Sequence, residues 1–470
     1  MNPIFSRRKI AKLASCDAMM RAFPGSYTRR RVDTAFMAIA TPNTSTTTTA
    51  PGTGQSYGAP LATVTTLFFM WGFLTCLNDI LVPHLKSIFD LNYLQSQLIQ
   101  FAFFGAYFVF SLPSAKLVDW MGYQRSMVAG LVTMGIGAFL FVPAASVPSY
   151  PLFLGALIVL AAGITCLQVA ANPYVTVLGK PETASSRLNL TQAFNSLGTT
   201  LAPYFGGALI LSAAPKAMEE IRAMAPDTLQ AYRLHEAASV KAPYVGLGIA
   251  LVVLAVAIGS FKLPTIAHAQ HKVGEKVNDS IWNHPSLIFG AIAIFVYVGG
   301  EVSIGSFLVN YFTQPDIGAL TAKVAASYVT FYWGGAMVGR FIGSAILQKV
   351  STRGLLGLCA VCAAALVAVS MLTTGHLAMY SIILVGFFNS IMFPSIFTLG
   401  VAELGPLTGD GSGVMIMAIV GGAIIPVAQG WIADRIGIHH AFFLPVLCYL
   451  YILYFALSGS KPNSQRHAKA

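Results

Sequence analysis

The hydrophobic residues of this chain are grouped in long runs that are separated by short polar stretches. Twelve such runs follow residue 60, and each has about the 20 apolar residues that an α-helix needs to cross a bilayer. The pattern predicts an all-α membrane protein with twelve transmembrane helices, the first to the twelfth span. In chain order the spans are Leu61–Leu85, Leu94–Leu117, Met127–Val147, Leu152–Leu178, Leu190–Leu211, Pro243–Leu263, Pro285–Tyr311, Val324–Leu347, Leu355–Thr373, Leu377–Leu399, Gly413–Ile432 and Ala441–Ser458.

A polar stretch divides the twelve spans into two sets of six. It covers residues 264–284, and we interpret it as a cytoplasmic linker whose His residues are solvated rather than bound to a metal. The linker separates an N-terminal six-helix half, residues 61–263, from a C-terminal six-helix half, residues 285–460. The longest polar stretch within a half, from Ser212 to Ala242, has mixed charges and is predicted to be an external loop.

Both ends of the chain are predicted to lie in the cytoplasm. Residues 1–60 contain basic clusters and a Thr/Gly/Pro-rich stretch, which predicts a disordered tail, with Met37 as an alternative start. Residues 461–470 form a second tail. With the N-terminus inside, most Lys and Arg residues fall on the cytoplasmic side, as the positive-inside rule requires. We therefore expect a multi-pass protein of the inner membrane.

Composition excludes several classes of protein. Hydrophobic residues make up 56% of the chain and charged residues 10%, compared with about 25% charged residues in soluble proteins. The net charge of +11 is spread over tails and turns, so we expect no nucleic-acid partner. Cys359 and Cys362 have C-x-x-C spacing, but they lie in an apolar run and are interpreted as packing residues. We expect no metal, no cofactor and a monomer in the lipid bilayer.

A short motif occurs once in each half. The turn after the second span, Ala115–Arg125, and the turn after the eleventh, Gly430–Gly437, both approximate G-x-x-x-D-x-x-G. The first Gly allows close approach of helices, and the last permits a tight turn. The motif resembles a loop signature of the major facilitator superfamily, and its repetition indicates two pseudo-symmetric halves with nested repeats. We assign structural or gating roles to Asp119, Gly122, Arg125 and Asp434.

Few charged residues lie well inside the spans, away from the span ends. A charge at the centre of a bilayer costs about 2.5–3.5 kcal/mol on insertion scales, so each needs a reason to be there. Asp79 and Glu301 lie on the opening helices of the two halves, at roughly matching depths, and are candidates for binding the coupling ion. The alternative is a structural carboxylate that is hydrogen-bonded to a neighbouring helix. Arg340 lies nearer the cytoplasmic end of the eighth span and is assigned a structural or gating role.

Uncharged polar residues cluster in the fourth and fifth spans. Asparagine and glutamine side chains both donate and accept hydrogen bonds, which suits the hydroxyl groups of a sugar, and an aromatic ring can stack on a sugar face. Any one of these amides is as well explained by a hydrogen bond between helices, so the prediction rests on the cluster. The candidate substrate-binding residues are Asn78, Gln168, Asn172, Gln192, Asn195, Asn389 and Phe393.

Four segments resemble the fucose–proton symporter family of the major facilitator superfamily. They are Leu77–Pro83, Ala170–Gly179, Arg187–Ser196 and Phe393–Gly400, and the resemblance covers residues 61–458. It implies twelve helices, a central sugar site and proton-driven symport. By that resemblance Asp79 matches the acid of the family's first helix, and Gln192 and Asn195 match a sugar-binding pair in the fifth.

The sequence departs from the fucose transporters at three positions. Gln168 replaces a glutamate in the fourth span, Glu301 replaces a glutamine in the seventh, and Phe393 replaces a tyrosine in the tenth. These changes resemble the glucose/galactose transporter branch. They favour cation-coupled uptake of a hexose by alternating access, with either a proton or sodium as the coupling ion.

Several alternatives remain open at this point. An N-acetylhexosamine or fucose symporter uses the same scaffold. An exporter of lipophilic compounds is disfavoured by the cluster of amides. An enzyme is disfavoured because His residues are scattered at the ends of spans and form no catalytic group. A sugar sensor without transport activity is distinguished from a carrier by measured flux.

Overall fold

A computed structural model of the protein describes residues 57–89, 93–147, 149–209, 223–264 and 279–461. Almost all of the predicted N-terminal tail, most of the linker and the last nine residues lie outside these ranges. The predictions made for those segments are therefore not tested. Every regular element within the described ranges is a helix.

Six helices form the N-terminal part of the described chain. The second and third spans are joined in one element that is interrupted at Gly122, which has non-helical backbone angles (φ 81°, ψ 168°). The predicted external loop contains an exposed helix that hydropathy does not indicate. Pro226 and Asp227 open that helix, and both residues favour the first turn. The helices are α1 Gly58–Phe89, α2 Tyr93–Ser146, α3 Tyr150–Val177, α4 Ala184–Leu209, α5 Pro226–Ser239 and α6 Lys241–Ser260.

The C-terminal part has the predicted spans, but three of them are broken. The tenth span is interrupted at Ser390 and Ile391, because Pro394 has no N–H to donate to the carbonyl of Ser390. The helices are α7 Pro285–Phe312, α8 Ala322–Ile346, α9 Thr352–Leu372, α10 Gly375–Asn389, α11 Met392–Gly400, α12 Thr408–Met417, α13 Gly421–Ile436, α14 Ile438–Ala441 and α15 Phe443–Tyr454.

In the described ranges, eight helical segments are long and apolar enough to cross a membrane. One of them, α2, contains two predicted spans. Helices α4 and α8 are more polar than these eight. They carry Gln192, Asn195 and Arg340, and they pack against each other across the two halves. The less apolar spans are therefore those that bring the candidate site residues together.

The repeated motif has the same backbone conformation in both copies. Gly437 ends α13 with φ 85° and ψ 152°, close to the angles of Gly122. Residues other than glycine rarely adopt a positive φ, so the glycine in each copy is required by the turn. This match supports the pseudo-symmetry that the motif predicts.

Close approach of α7 and α13 depends on glycine. An added Cβ on Gly421 would lie 2.7 Å from the backbone carbonyl carbon of Phe295, and one on Gly299 would overlap the side chain of Ile425. Real Cβ atoms do not approach other atoms this closely, so a larger residue forces the helices apart.

Replacing Gly421 by alanine is therefore expected to destabilise the protein by about 1–3 kcal/mol, as overpacking of a tight interface does. The measurement is the midpoint of thermal unfolding of the purified protein in detergent. Gly155→Ala is the matched control, because among the described residues no atom outside the backbone of its own helix lies within 4 Å of the added Cβ. Equal midpoints for the two variants would contradict the prediction.

Candidate functional site

The fourth span holds a buried glutamine that is fixed by a tyrosine and a tryptophan. Nε2 of Gln168 donates to the hydroxyl of Tyr107 at 2.6 Å. The side chain of Trp71 also hydrogen-bonds this hydroxyl. The three residues come from α1, α2 and α3, so this chain of contacts ties the three helices together and orients the Gln168 amide.

Several buried amide atoms in this half have no hydrogen-bond partner among the described residues. They are Oε1 of Gln168, both polar atoms of the Asn172 side chain, and Nε2 of Gln192. Asn172 is fully buried, one helical turn from Gln168. An unsatisfied buried polar group costs about 1–3 kcal/mol, so these positions favour a polar ligand or bound water.

Asn195 is already partly used in packing. Its Nδ2 donates to the backbone carbonyl of Phe68 at 2.9 Å and fixes α4 against α1. Gly72 lies against the same amide, because a Cβ at that position would be 2.8 Å from Nδ2. In this structure Asn195 therefore contributes to the contact between helices. This is the alternative that the sequence analysis gave for each of these amides.

In the other half, Glu301 lies buried in α7 beside two tyrosines. The hydroxyl of Tyr297 is 2.8 Å from Oε1 of Glu301 and 3.1 Å from the backbone carbonyl oxygen of Asn389. The hydroxyl of Tyr332 donates to the backbone carbonyl of Glu301 at 3.3 Å and accepts from Nδ2 of Asn389 at 2.9 Å. Glu301 and Asn389 thus belong to one hydrogen-bonded group.

Arg340 joins this group to the N-terminal half. Its guanidinium donates to the backbone carbonyl of Gln192 at 3.4 Å and to the hydroxyl of Ser196, both on α4. Its Nε donates to the carbonyl of Ser390 at 3.3 Å, the oxygen that Pro394 leaves without a donor in its helix. The positive charge also acts on Glu301.

Three further candidate residues have different outcomes. Phe393 is buried and stacks on Phe397 with ring centroids 6.2 Å apart, so one face of its ring is covered by protein. Asn78 and Asp79 lie on α1, but their side chains are outside the part that the structure describes. Their predicted roles stay predictions.

The motif residues lie at the ends of spans. Nζ of Lys116 is 2.8 Å from Oδ1 of Asp410 in the first turn of α12 and 3.7 Å from Oδ2 of Asp119. Asp119 also lies against Gly409 at the start of α12, where a carboxylate is favoured by the positive end of the helix dipole. This charged group connects α2 with the C-terminal half, which supports a gating role for Asp119.

Arg125 and Asp434 have exposed side chains. Beside Asp434, the guanidinium of Arg435 lies 3.4 Å from the ring centroid of Trp431, which is 60% exposed. A tryptophan paired with a cation at the end of a span is typical of the membrane–water interface.

The sequence did not indicate that the hydroxyl groups of buried tyrosines orient the polar side chains. Tyr107, Tyr297 and Tyr332 are almost fully buried within apolar runs, where a tyrosine is usually a packing residue. Gln429 on α13 was also missed. It is fully buried and both polar atoms of its side chain lack partners among the described residues.

Two open grooves on the described surface are separate from the polar site. One groove of about 450 Å³ lies between α1 and α4, and another of about 490 Å³ lies between α8 and α10. Apolar side chains and glycines dominate both linings, and none of the candidate sugar-binding residues is among them. The described residues also contain no group of three or more His, Cys, Asp or Glu side chains that could hold a metal.

Comparison with known proteins identifies the family. The model of the Major Facilitator Superfamily matches residues 61–419. A glucose/galactose transporter of Brucella abortus biovar 1 (strain 9-941) is 52% identical over 425 residues, which cover 90% of this chain and 100% of that protein. An L-fucose-proton symporter of Escherichia coli (strain K12) is 35% identical and is covered over 94% of its length, with 86% of this chain aligned.

A solved structure agrees with these matches. A crystal structure of the Escherichia coli fucose:proton symporter has a TM-score of 0.80 and 34% identity, covering 87% of this chain and 100% of that chain. The resemblance that the four sequence segments indicated is confirmed, and so is the fold of twelve transmembrane helices. The protein is a multi-pass membrane protein, and its chain belongs to the Major Facilitator Superfamily.

Proposed function

We propose that this protein carries a hexose, glucose or galactose, together with a proton across the inner membrane by alternating access. In this proposal the protein acts as a monomer with both termini in the cytoplasm, and each six-helix half contributes one side of the sugar site. The names of its relatives support a sugar as substrate and, for the more distant one, a proton as the coupled ion.

One observation supports the proposal above all others. A buried carboxylate, Glu301, and buried amides with unused hydrogen-bonding capacity lie on helices of opposite halves that Arg340 connects. Amides that can donate and accept match the hydroxyl groups of a sugar. Opposite halves that share one polar site are what alternating access requires.

The surroundings of Glu301 favour a proton over sodium. Oε1 has a tyrosine hydroxyl as a donor, and the guanidinium of Arg340 adds a positive charge nearby. A positive charge repels a metal ion in a site of low dielectric constant, whereas a proton neutralises the carboxylate. Asp79, the predicted second acid, is assigned to the same coupling step.

The test is counterflow in proteoliposomes that contain the purified protein. Vesicles loaded with one unlabelled sugar, which is glucose, galactose, L-fucose or N-acetylglucosamine, are diluted into the same sugar in labelled form, with and without a pH gradient and in sodium-free buffer. Exchange of glucose and galactose, with acid-driven accumulation without sodium, is the expected result. Exchange of L-fucose or N-acetylglucosamine alone would contradict the proposed substrate. A strict need for sodium would contradict the proposed ion. No exchange of any sugar would refute the proposed function.

The Asn172 amide has no hydrogen-bond partner among the described residues, and it gives a prediction on the affinity for the hexose. Asn172→Ala is expected to raise the KM for the hexose about tenfold, since one hydrogen bond to a buried polar partner is worth about 1–3 kcal/mol. Thr165→Val on the same helix is the control, because the buried Thr165 hydroxyl donates to the carbonyl of Ala161 in its own helix, 2.8 Å away. A KM shift of the same size in both variants would contradict a ligand contact at Asn172.

A further inference from the structure

The hydroxyl group of Tyr297 lies between two acceptors. It is 2.8 Å from Oε1 of Glu301 and 3.1 Å from the backbone carbonyl oxygen of Asn389. A tyrosine hydroxyl has one proton to donate, so it serves one of these oxygens at a time. The choice between them depends on which oxygen is the stronger acceptor.

The charge of Glu301 decides that choice. When the carboxylate is ionised, the hydrogen bond from Tyr297 to Glu301 is charge-assisted and about twice as strong as a neutral one. When Glu301 takes up a proton, it becomes a weaker acceptor and carries a donor of its own. The hydroxyl of Tyr297 is then free to donate to Asn389.

Asn389 lies at the interruption of the tenth span. It is the last residue of α10, and α11 begins at Met392. Because Pro394 has no N–H, the carbonyl of Ser390 depends on Arg340 for its hydrogen bond. The hydroxyl of Tyr297 lies within hydrogen-bond distance of the carbonyl of Asn389, and Arg340 bonds the neighbouring carbonyl at this break. Both Tyr297 and Arg340 also interact with Glu301.

Arg340 responds to the same charge. Its guanidinium acts on Glu301 and also donates to Gln192 and Ser196 of α4 in the other half. An ionised Glu301 attracts the guanidinium away from Ser390 and α4, and a neutral Glu301 releases it toward them. Protonation therefore strengthens the bonds at the break and the contact between the halves together.

We propose that Tyr297 is a positioning residue that transmits the protonation of Glu301 to the break between α10 and α11. This inference rests on the proposed proton-coupled transport and names the element that changes. The ionisable side chains that act on this group are Tyr297 on the same helix, Arg340 and Tyr332 on α8, and Tyr449 with its neighbour Cys448 on α15. On α10 the group is faced by the neutral side chain of Asn389.

The test compares wild type, Tyr297→Phe, Glu301→Gln and the double variant in proteoliposomes. In the wild type we expect accumulation driven by a pH gradient. In Tyr297→Phe we expect that accumulation to fall about tenfold while exchange persists, which corresponds to the loss of a typical coupling free energy. In the double variant we expect no loss of accumulation beyond that of Glu301→Gln alone. Tyr311→Phe is the control, because that buried hydroxyl bonds Ser370 and takes no part in this group.

The outcomes separate this inference from the function on which it rests. Exchange by the wild type together with full accumulation by Tyr297→Phe would overturn the inference and leave the function intact. Loss of exchange in a folded Tyr297→Phe would overturn it too, because the hydroxyl would then be needed for binding. Failure of the wild type to exchange any sugar would instead refute the proposed function.

A second measurement applies even if Tyr297→Phe does not fold. Hydrogen–deuterium exchange of the peptide that spans residues 385–396 is followed by mass spectrometry at acidic and at alkaline pH. We expect a slower opening of this segment at acidic pH in the wild type, beyond the intrinsic effect of pH on exchange, and no such difference in Glu301→Gln. The same pH response in both proteins would overturn the inference.

Discussion

Glu301→Gln is expected to abolish accumulation of sugar against a gradient while exchange continues. Glutamine keeps the shape of the side chain and can still accept a hydrogen bond from Tyr297, but it cannot gain or lose a proton. Moving one charge through about 100 mV supplies about 2.3 kcal/mol, which corresponds to an accumulation ratio of about 50. In the variant we expect the sugar to reach equal concentrations inside and outside the vesicles, without accumulation.

The measurement is uptake of labelled glucose into vesicles that carry an imposed pH gradient and membrane potential. Glu403→Gln is the control, since Glu403 is an exposed carboxylate outside the polar site. Asp79→Asn is expected to behave like Glu301→Gln if both acids take part in coupling. Accumulation by Glu301→Gln at the wild-type ratio would show that this carboxylate does not couple transport to protons.

The arrangement of spans follows from local properties of the sequence. Each run must be long enough to satisfy its backbone hydrogen bonds within the bilayer, and this requirement is visible in hydropathy alone. The glycine of the repeated motif was also predictable, because the positive φ at Gly122 and Gly437 is a local property of a tight turn. These features need no knowledge of how the helices pack.

The partners of the polar residues were not predictable in this way. Tyr297 lies one turn from Glu301, which the sequence shows, but its second contact, the carbonyl of Asn389, is far away in the chain. Tyr107 and Tyr332 are also far in sequence from the amides that they bond, by 61 and 57 residues. Such pairs arise from helix packing, so a tyrosine in an apolar run cannot be distinguished from a core residue by its neighbours in sequence.

Helix breaks were predictable only in part. Pro394 is visible in the sequence and explains why α10 ends before it. The sequence does not show which group donates a hydrogen bond to the carbonyl of Ser390, which Pro394 cannot reach with an N–H. In the structure this donor is the guanidinium of Arg340 on another helix. The gating role assigned to Arg340 from its depth gains a specific set of contacts from the structure.

Arg340→Gln is expected to reduce exchange at least about tenfold, because several bonds are lost together. The variant removes the charge-assisted contacts to Gln192, Ser196 and Ser390, each of a kind worth about 1.5–3 kcal/mol. It also leaves the buried carboxylate of Glu301 without the positive charge that acts on it. Both effects weaken the connection between α4, α8 and the break in the tenth span.

A double variant separates these two effects. If the unpaired charge of Glu301 causes most of the loss, Glu301→Gln combined with Arg340→Gln restores exchange toward the level of Glu301→Gln alone, because a neutral side chain needs no cation. Arg435→Gln is the control, since that guanidinium lies over the exposed Trp431. Wild-type exchange in Arg340→Gln would contradict the contact between the halves, and no rescue in the double variant would assign the loss to the hydrogen bonds to α4 and Ser390.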